Sequence, residues 1–435
     1  MNLTKEQQEI YDGKQGATLA KVMQTLVRYG ELFGADGMVP VTSKYNHLVT
    51  SFGLKALAPV YELMNQLIES GNVSKQKFSA DPRPLDPNVP SSFLQDFVFK
   101  NFMYSKQDDY EKQLTQLGIM EKDAYTCTCY MDEVGNTPAM GEVLSWSESS
   151  AVVYANSVLG ARCNRNVLGA RCNRNSGIID LMGSVVGYVP RFGLLTDEGR
   201  KATWIVKIET TKKPEAQLLG SAIGMKVMAD VPYIVGLDKW LGGELDDAAK
   251  TYLKDFGAAT ASNGAVGLYH VENITPEAVK YGKDLISEDA KVYVVDDAEL
   301  QRVYESYPVI WKKKEAKPKL CFMGCPHMSL QQLIDWTEKV SRSLKEAGRT
   351  RVCIPTVFTA APAVLKKFQE TPYAETLKAT GVITSYICPL MYMNNPLSEK
   401  MPVITSSNKL RTYTSARYYT DAEILEQITK GGADR

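Results

Sequence analysis

From residue 319 onward the chain alternates apolar runs with amphipathic ones, and this alternation constrains the fold more than any other feature of the sequence. The runs at 319–323, 351–358 and 381–388 read as strands, and 330–346 and 361–369 between them read as helices. Strands separated by helices of this length argue for βαβ units and a parallel sheet, so the expected class is α/β.

The rest of the chain fits that class. Leu19, Val22, Met23 and Leu26 fall at i, i+3, i+4 and i+7, one face of a helix. Gly34 and Gly37 release the chain into a short strand over 38–41. A second helix follows with Leu54, Leu57, Leu63, Met64, Leu67 and Ile68 inward, closing at Gly71. Residues 79–93, rich in Pro and Asp, read as an irregular surface crossing. Further on, an apolar run at 292–295 precedes Asp296 and Glu299 in capping-box spacing. A charged linker over 311–318 separates this from the final third. Three regions result, 1–205, 206–315 and 316–435.

Charge and composition exclude several function classes. Fifty basic residues balance fifty acidic ones, which gives no electrostatic reason for a polyanion partner, so no nucleic acid is expected. No apolar run approaches the roughly 20 residues that span a bilayer, and the first residues carry no export signal. The expectation is a cytoplasmic protein without membrane contact. The segment 256–278, rich in Gly and Ala, lacks both Gly-Lys-Ser/Thr and G-x-G-x-x-G after a strand, so it predicts close helix packing rather than nucleotide binding.

Eight cysteines, Cys127, Cys129, Cys163, Cys172, Cys321, Cys325, Cys353 and Cys388, stand beside only three histidines, His47, His270 and His327. In a reducing compartment the thiols are buried small hydrophobes or metal ligands, and any metal must lean on them. An apolar strand ends at Gly324, which places Cys325 just before the helix start marked by Ser329 and Gln332, an S-x-x-Q capping box, and Cys388 ends the strand at 381–388. Both places read either as strand-end hydrophobes or as ligand positions at the carboxyl end of a parallel sheet. Cys127 and Cys129 alternate as on a strand, both thiols to one side. Cys321 and Cys353 read as core strand residues.

The stretch 144–160 crowds Ser147, Glu148 and Ser149 at a helix start. Ser147 is the expected cap with Glu148 in the first turn, and the surplus of hydroxyls suits binding of a carboxylate or a metal-bound oxygen. Val-Leu-Gly-Ala-Arg-Cys-Asn-Arg-Asn then occurs twice in tandem, at 158–166 and 167–175. Nine residues are too few for a structural repeat, so the copy is a duplication that offers Arg162 or Arg171 for bidentate grip of an anion.

In order along the chain come Thr-Cys-Thr, then Trp-Ser-Glu-Ser-Ser-Ala-Val-x-Tyr-Ala-Asn-Ser-Val-Leu-Gly-Ala-Arg, then Gly-Ala-Ala-x-Ala-Ser-x-Gly-Ala-Val-x-Leu-Tyr-His, then Gly-Cys-Pro-His. This series resembles the large catalytic subunit of the aconitase X family from about residue 3 to 415. The resemblance implies an aconitase-like fold of several α/β/α layers with mostly parallel sheets, lacking the swivelling domain. It implies an iron–sulfur cluster, or iron, held by Cys127, Cys325 and Cys388. It also implies a separate small subunit that carries the swivelling domain. The activity implied is a hydro-lyase that removes water from a small 3-hydroxy carboxylate. The expected substrate is cis-3-hydroxy-L-proline, with 5-phosphomevalonate as the alternative and a non-catalytic cysteine–metal scaffold or iron sensor as the reading from another class. Glu148, Ser407, Lys409 and His327 are then the unranked catalytic candidates, for proton transfer or binding. Ser43, Ser147, Ser149, Asn156 and Arg162 or Arg171 are the candidates for holding the substrate. The sequence departs from the family at Cys129, where Pro is usual, and at Ser406, where Asn is usual.

Overall fold

The computed structural model describes residues 1–121, 123–159 and 169–431. Leu19, Val22, Met23 and Leu26 are buried along one face of helix Ala17–Leu32, the burial that their spacing demands. Four short strands frame the amino-terminal region: β1 (Met38–Pro40), β2 (Asn46–Leu48), β3 (Phe78–Ala80) and β4 (Tyr188–Pro190). β1 pairs antiparallel with β4, and β2 pairs parallel with β3 so that His47 stands opposite Ser79. The second predicted helix starts later than its apolar spacing suggests. It spans Ala58–Glu69 with Pro59 in its first turn, which leaves Leu54 and Leu57 in the turn before it. The Pro- and Asp-rich crossing is irregular as expected after β3, but it is not all surface. Asp86 and Val89 are buried in it, Asp86 accepts from the Ser385 hydroxyl at 2.7 Å, and the Arg83 carbonyl accepts from the Cys388 amide at 2.9 Å.

The middle of the chain forms a four-stranded parallel sheet of β5 (Ala202–Ile208), β6 (Pro232–Val235), β7 (His270–Val271) and β8 (Ile286–Val295), in the order β7-β6-β5-β8. Helices Ala216–Val227 and Asp247–Asn263 cross against each other at small residues. A Cβ on Gly220 would lie 2.4 Å from the Phe256 carbonyl oxygen, so only glycine permits that approach. Asp296 caps helix Asp297–Glu305 through the Glu299 amide, as its spacing predicted.

The last third is a five-stranded parallel sheet of β9 (Leu320–Met328), β10 (Thr356–Ala360), β11 (Ile383–Ser385), β12 (Val403–Thr405) and β13 (Arg417–Tyr418), in the order β11-β10-β9-β12-β13. Helices Leu330–Glu346 and Pro362–Gln369 supply the crossovers read from the sequence, and the Ser329–Gln332 capping box is formed in both directions. The parallel α/β class expected from the sequence is therefore present.

Three local expectations are corrected. β9 runs past Gly324 to Met328 with a register shift against β10, so Cys325 lies within the far end of the strand and not at the helix start. β11 is short, and Cys388 follows it at the cap of the five-residue helix Pro389–Met393. Cys353 sits half-buried in irregular chain before β10, whereas Cys321 is a fully buried strand residue. Among the described residues no helix is long and apolar enough to cross a membrane.

Candidate active site

The far end of β9, the loop after β11 and residues 126–130 meet at one place. Residues 126–130 are irregular chain that bends at Cys127 and turns at Cys129, rather than the strand that the alternation of Cys127 and Cys129 suggested. Thr126 accounts for this: its hydroxyl oxygen accepts the Thr128 N–H at 3.0 Å, a local bond that competes with a strand ladder. His327 fastens the three segments together. Its Nε2 lies 3.0 Å from the Ile387 carbonyl oxygen, which can only accept, so Nε2 carries the proton and Nδ1 takes the Thr126 hydroxyl at 2.9 Å. Its backbone N–H donates to the Cys127 sulfur at 3.4 Å. The convergence leaves Cys325 in electrostatic reach of both Cys127 and Cys388.

Burial sets the chemistry of these thiols. It raises Cys127 well above the usual thiol range, raises Cys325, and pushes Cys388 up to about 12, with Cys325 adding to the rise at Cys127 and Cys388. The ammonium of Lys409 opposes the rise at all three. Such thiols stay protonated unless a cation arrives, and as thiolates they would be soft ligands around one space. No three of the described His, Cys, Asp and Glu residues close around a single metal ion.

Lys409 is fixed by the helix start of the Trp-Ser-Glu-Ser-Ser motif. Its Nζ donates to the Glu148 carboxylate and, at 2.6 Å, to the Ser150 hydroxyl oxygen. Glu148, not Ser147, is the cap of helix Ser149–Ser157, since its carboxylate accepts the Ala151 N–H at 2.7 Å. Burial raises this carboxyl, but Lys409, the Ala151 amide and His47 outweigh it and hold Glu148 ionised below its ordinary range. Burial likewise disfavours the Lys409 charge, and the Glu148 carboxylate overrides it, so the ammonium is held. Ser407 caps helix Asn408–Tyr413 by accepting the Leu410 N–H, and its hydroxyl donates to the Cys325 carbonyl. The cap and the cysteine turn are thus one unit.

The remaining sequence candidates are spent elsewhere. Ser147 accepts from the Val49 amide at 2.7 Å, Ser149 reaches Glu148 at 3.5 Å, and Ser43 bonds Asn46 at 3.4 Å. Asn156 is structural: its amide donates to the Cys172 and Gly267 carbonyls at 2.9 and 2.8 Å and its oxygen accepts the Cys172 N–H. Arg171 turns away to the Asp197 carboxylate and the Leu195 carbonyl. Arg162 lies outside the described residues.

Sequence reasoning missed Ser150, His47, Ser79 and Asp81. His47 is fully buried, stacks edge-on against Trp146 at 5.8 Å, and places Nδ1 2.8 Å from the Ser79 oxygen. Burial pushes its imidazole down to about 4. Asp81, the first residue past β3, has Oδ1 3.7 Å from His47 Nε2. The surplus of hydroxyls around Glu148 could have flagged Ser150. Nothing in the sequence pairs His47 with Asp81, because only the parallel β2–β3 register does so.

Comparison with known proteins adds an independent finding. Residues 1–198 match the aconitase X first domain and residues 202–305 the aconitase X second domain. The phosphomevalonate dehydratase large subunit of Thermococcus kodakarensis is 31% identical over 382 residues, 87% of this chain and 86% of that one. The cis-3-hydroxy-L-proline dehydratase of Hypocrea jecorina is 26% identical over 77% of this chain but only 52% of its own length. The crystal structure of Thermococcus kodakaraensis aconitase X, holo-form, superposes with a TM-score of 0.77 at 27% identity, covering 98% of this chain and 100% of that one.

Proposed function

The chain belongs to the aconitase X family as a large subunit, and on that premise we propose that it removes water from phosphomevalonate with an iron–sulfur cluster on Cys127, Cys325 and Cys388. Its relatives are named dehydratases, so the scaffold and sensor reading is set aside. Of the two substrates weighed from sequence, similarity favours phosphomevalonate. The relative with that name matches at higher identity and over most of its length, while the chain spans about half of the cis-3-hydroxy-L-proline dehydratase. The same relative is named a large subunit, which supports a separate small subunit as partner.

The observation that carries the cofactor reading is the meeting of three thiols from distant segments under one lysine charge. When bound, the cluster supplies Lewis-acid chemistry for departure of the hydroxyl. The chain supplies the rest. Lys409, locked by Glu148 and Ser150, is a fixed positive charge beside the thiols, suited to the substrate carboxylate and to negative charge that grows as the α-proton leaves. Ser407 holds the Cys325 turn against the Lys409 helix. His327, neutral and bonded at both ring nitrogens, orders the ligand segments instead of moving protons.

The test is a side-by-side assay of 5-phosphomevalonate and cis-3-hydroxy-L-proline with the anaerobically reconstituted chain, with and without the small subunit. Turnover of phosphomevalonate that depends on the small subunit is expected. Turnover of hydroxyproline alone, or full activity from the isolated chain, refutes the corresponding part.

A further inference from the structure

We propose that Asp81, positioned by His47, is the carboxylate that moves the proton in this dehydration, an assignment that rests on the dehydratase reading above.

The geometry begins with the β2–β3 pairing. It sets His47 opposite Ser79, so the chain leaving β3 delivers Asp81 to the imidazole. The Asn136 amide donates to Ser79 Oγ at 2.8 Å, and Ser79 Oγ lies 2.8 Å from His47 Nδ1; when the serine hydrogen takes that contact, the imidazole N–H sits on Nε2, toward Asp81. Yet Nε2 and Asp81 Oδ1 are 3.7 Å apart, and both atoms are buried without a hydrogen-bond partner. Buried polar atoms are nearly always paired, so two facing orphans mark a place for a third group. An oxygen set off the line between them would reach both at about 2.9 Å.

The other charged groups here are already committed. Glu148 is tied to Lys409, whose ammonium faces the substrate's negative charge, His327 has used both nitrogens, and Ser407 caps a helix. Asp81 makes no hydrogen bond to a described residue, and its side chain is only 10% exposed. The groups that act on it or feel it are Glu148, Lys409, Cys129, Cys388 and Tyr110, together with His47 at 3.7 Å. Burial, with Glu148 adding and Lys409 opposing, raises this carboxyl well above the usual range. Its carboxylate is therefore a stronger base than an exposed one.

The step balances on one residue. Asp81 carboxylate takes the proton α to the substrate carboxylate, and the C–H electron pair becomes the double bond. The bond to the β-hydroxyl breaks with its pair on oxygen. Asp81 passes the proton to that oxygen, water leaves, and the carboxylate is restored.

The test uses the chain reconstituted with its small subunit and 5-phosphomevalonate. Asp81→Asn should lower kcat by about 10²-fold or more, with cluster content unchanged and the thermal midpoint at pH 8 equal or higher. His47→Gln should move the acid limb of the kcat profile. Asp81→Asn within threefold of wild type, or inactive with a lowered midpoint, overturns the assignment. A second measurement needs no substrate. In the cluster-free chain, the midpoint advantage of Asp81→Asn should widen from pH 5 to pH 8, because only the wild type must ionise a buried acid. A flat difference overturns the Asp81 role alone. A wild-type complex inert toward both substrates overturns the dehydratase reading and this step with it.

Discussion

Lys409 donates to Glu148 across 261 residues of chain, and their side chains are 11% and 6% exposed. The contact joins the carboxyl-terminal sheet to the motif helix, and it places a compensated charge where three thiols would otherwise be surrounded by apolar chain.

Breaking that pair from one side leaves the other charge buried alone. Lys409→Met should cost about 3–5 kcal/mol in denaturant unfolding, and the double variant with Glu148→Gln should cost less than the sum of the singles. The pH window follows from the two directions. Glu148, lowered, contributes above the unfolded carboxyl value of about 4.3 and loses that contribution as pH falls through its folded value. Lys409, raised, contributes below about 10.4 and loses it as pH rises through its folded value. The contribution should be full from about pH 5 to pH 10. Additive single costs would contradict the coupling.

All three histidines are buried and neutral. Burial pushes His47, His270 and His327 down to about 4. The unfolded chain takes up these protons first, so stability is full above about pH 6.5 and falls as pH drops toward 4, by up to about 3 kcal/mol per histidine. Denaturant unfolding at pH 7, 5.5 and 4.5 should show the fall. His270→Gln, remote from the thiols, should reduce the slope by about one proton. An unchanged slope would show that His270 is charged in the native state.

Much of the carboxyl-terminal sheet was legible because its strands and helices each keep one period from cap to cap, as at Ser329–Gln332. The site was legible only where a motif carried it. Glu148 and Lys409 are named by sequence, but capping by Glu148 instead of Ser147 is a shift of one residue that propensity does not resolve. Cys127 and Cys129 alternate like a strand, and the Thr126 hydroxyl holds them in a bent, irregular segment. His47 and Asp81 sit in a three-residue strand and a Pro-rich crossing, and only tertiary pairing gives them meaning.

The duplicated segment yields a further test. Because the copies are identical, deleting 167–175 produces the same polypeptide as deleting 158–166. The described part of the second copy is packed: Cys172 is fully buried, and Asn173 bonds the Phe192 carbonyl at 2.9 Å and the Leu194 amide at 2.8 Å. One copy suffices for these contacts. The deleted chain should fold, with equal or higher activity and a thermal midpoint within a few degrees. Insoluble protein would show that both copies are needed.

The most direct test of the cluster dehydratase is iron and acid-labile sulfide per chain after anaerobic reconstitution. Wild type and the control Cys353→Ser should bind both, while Cys127→Ser, Cys325→Ser and Cys388→Ser should each lose cluster absorbance and activity. Zinc without sulfide in the wild type, or full iron in Cys388→Ser, would contradict the account.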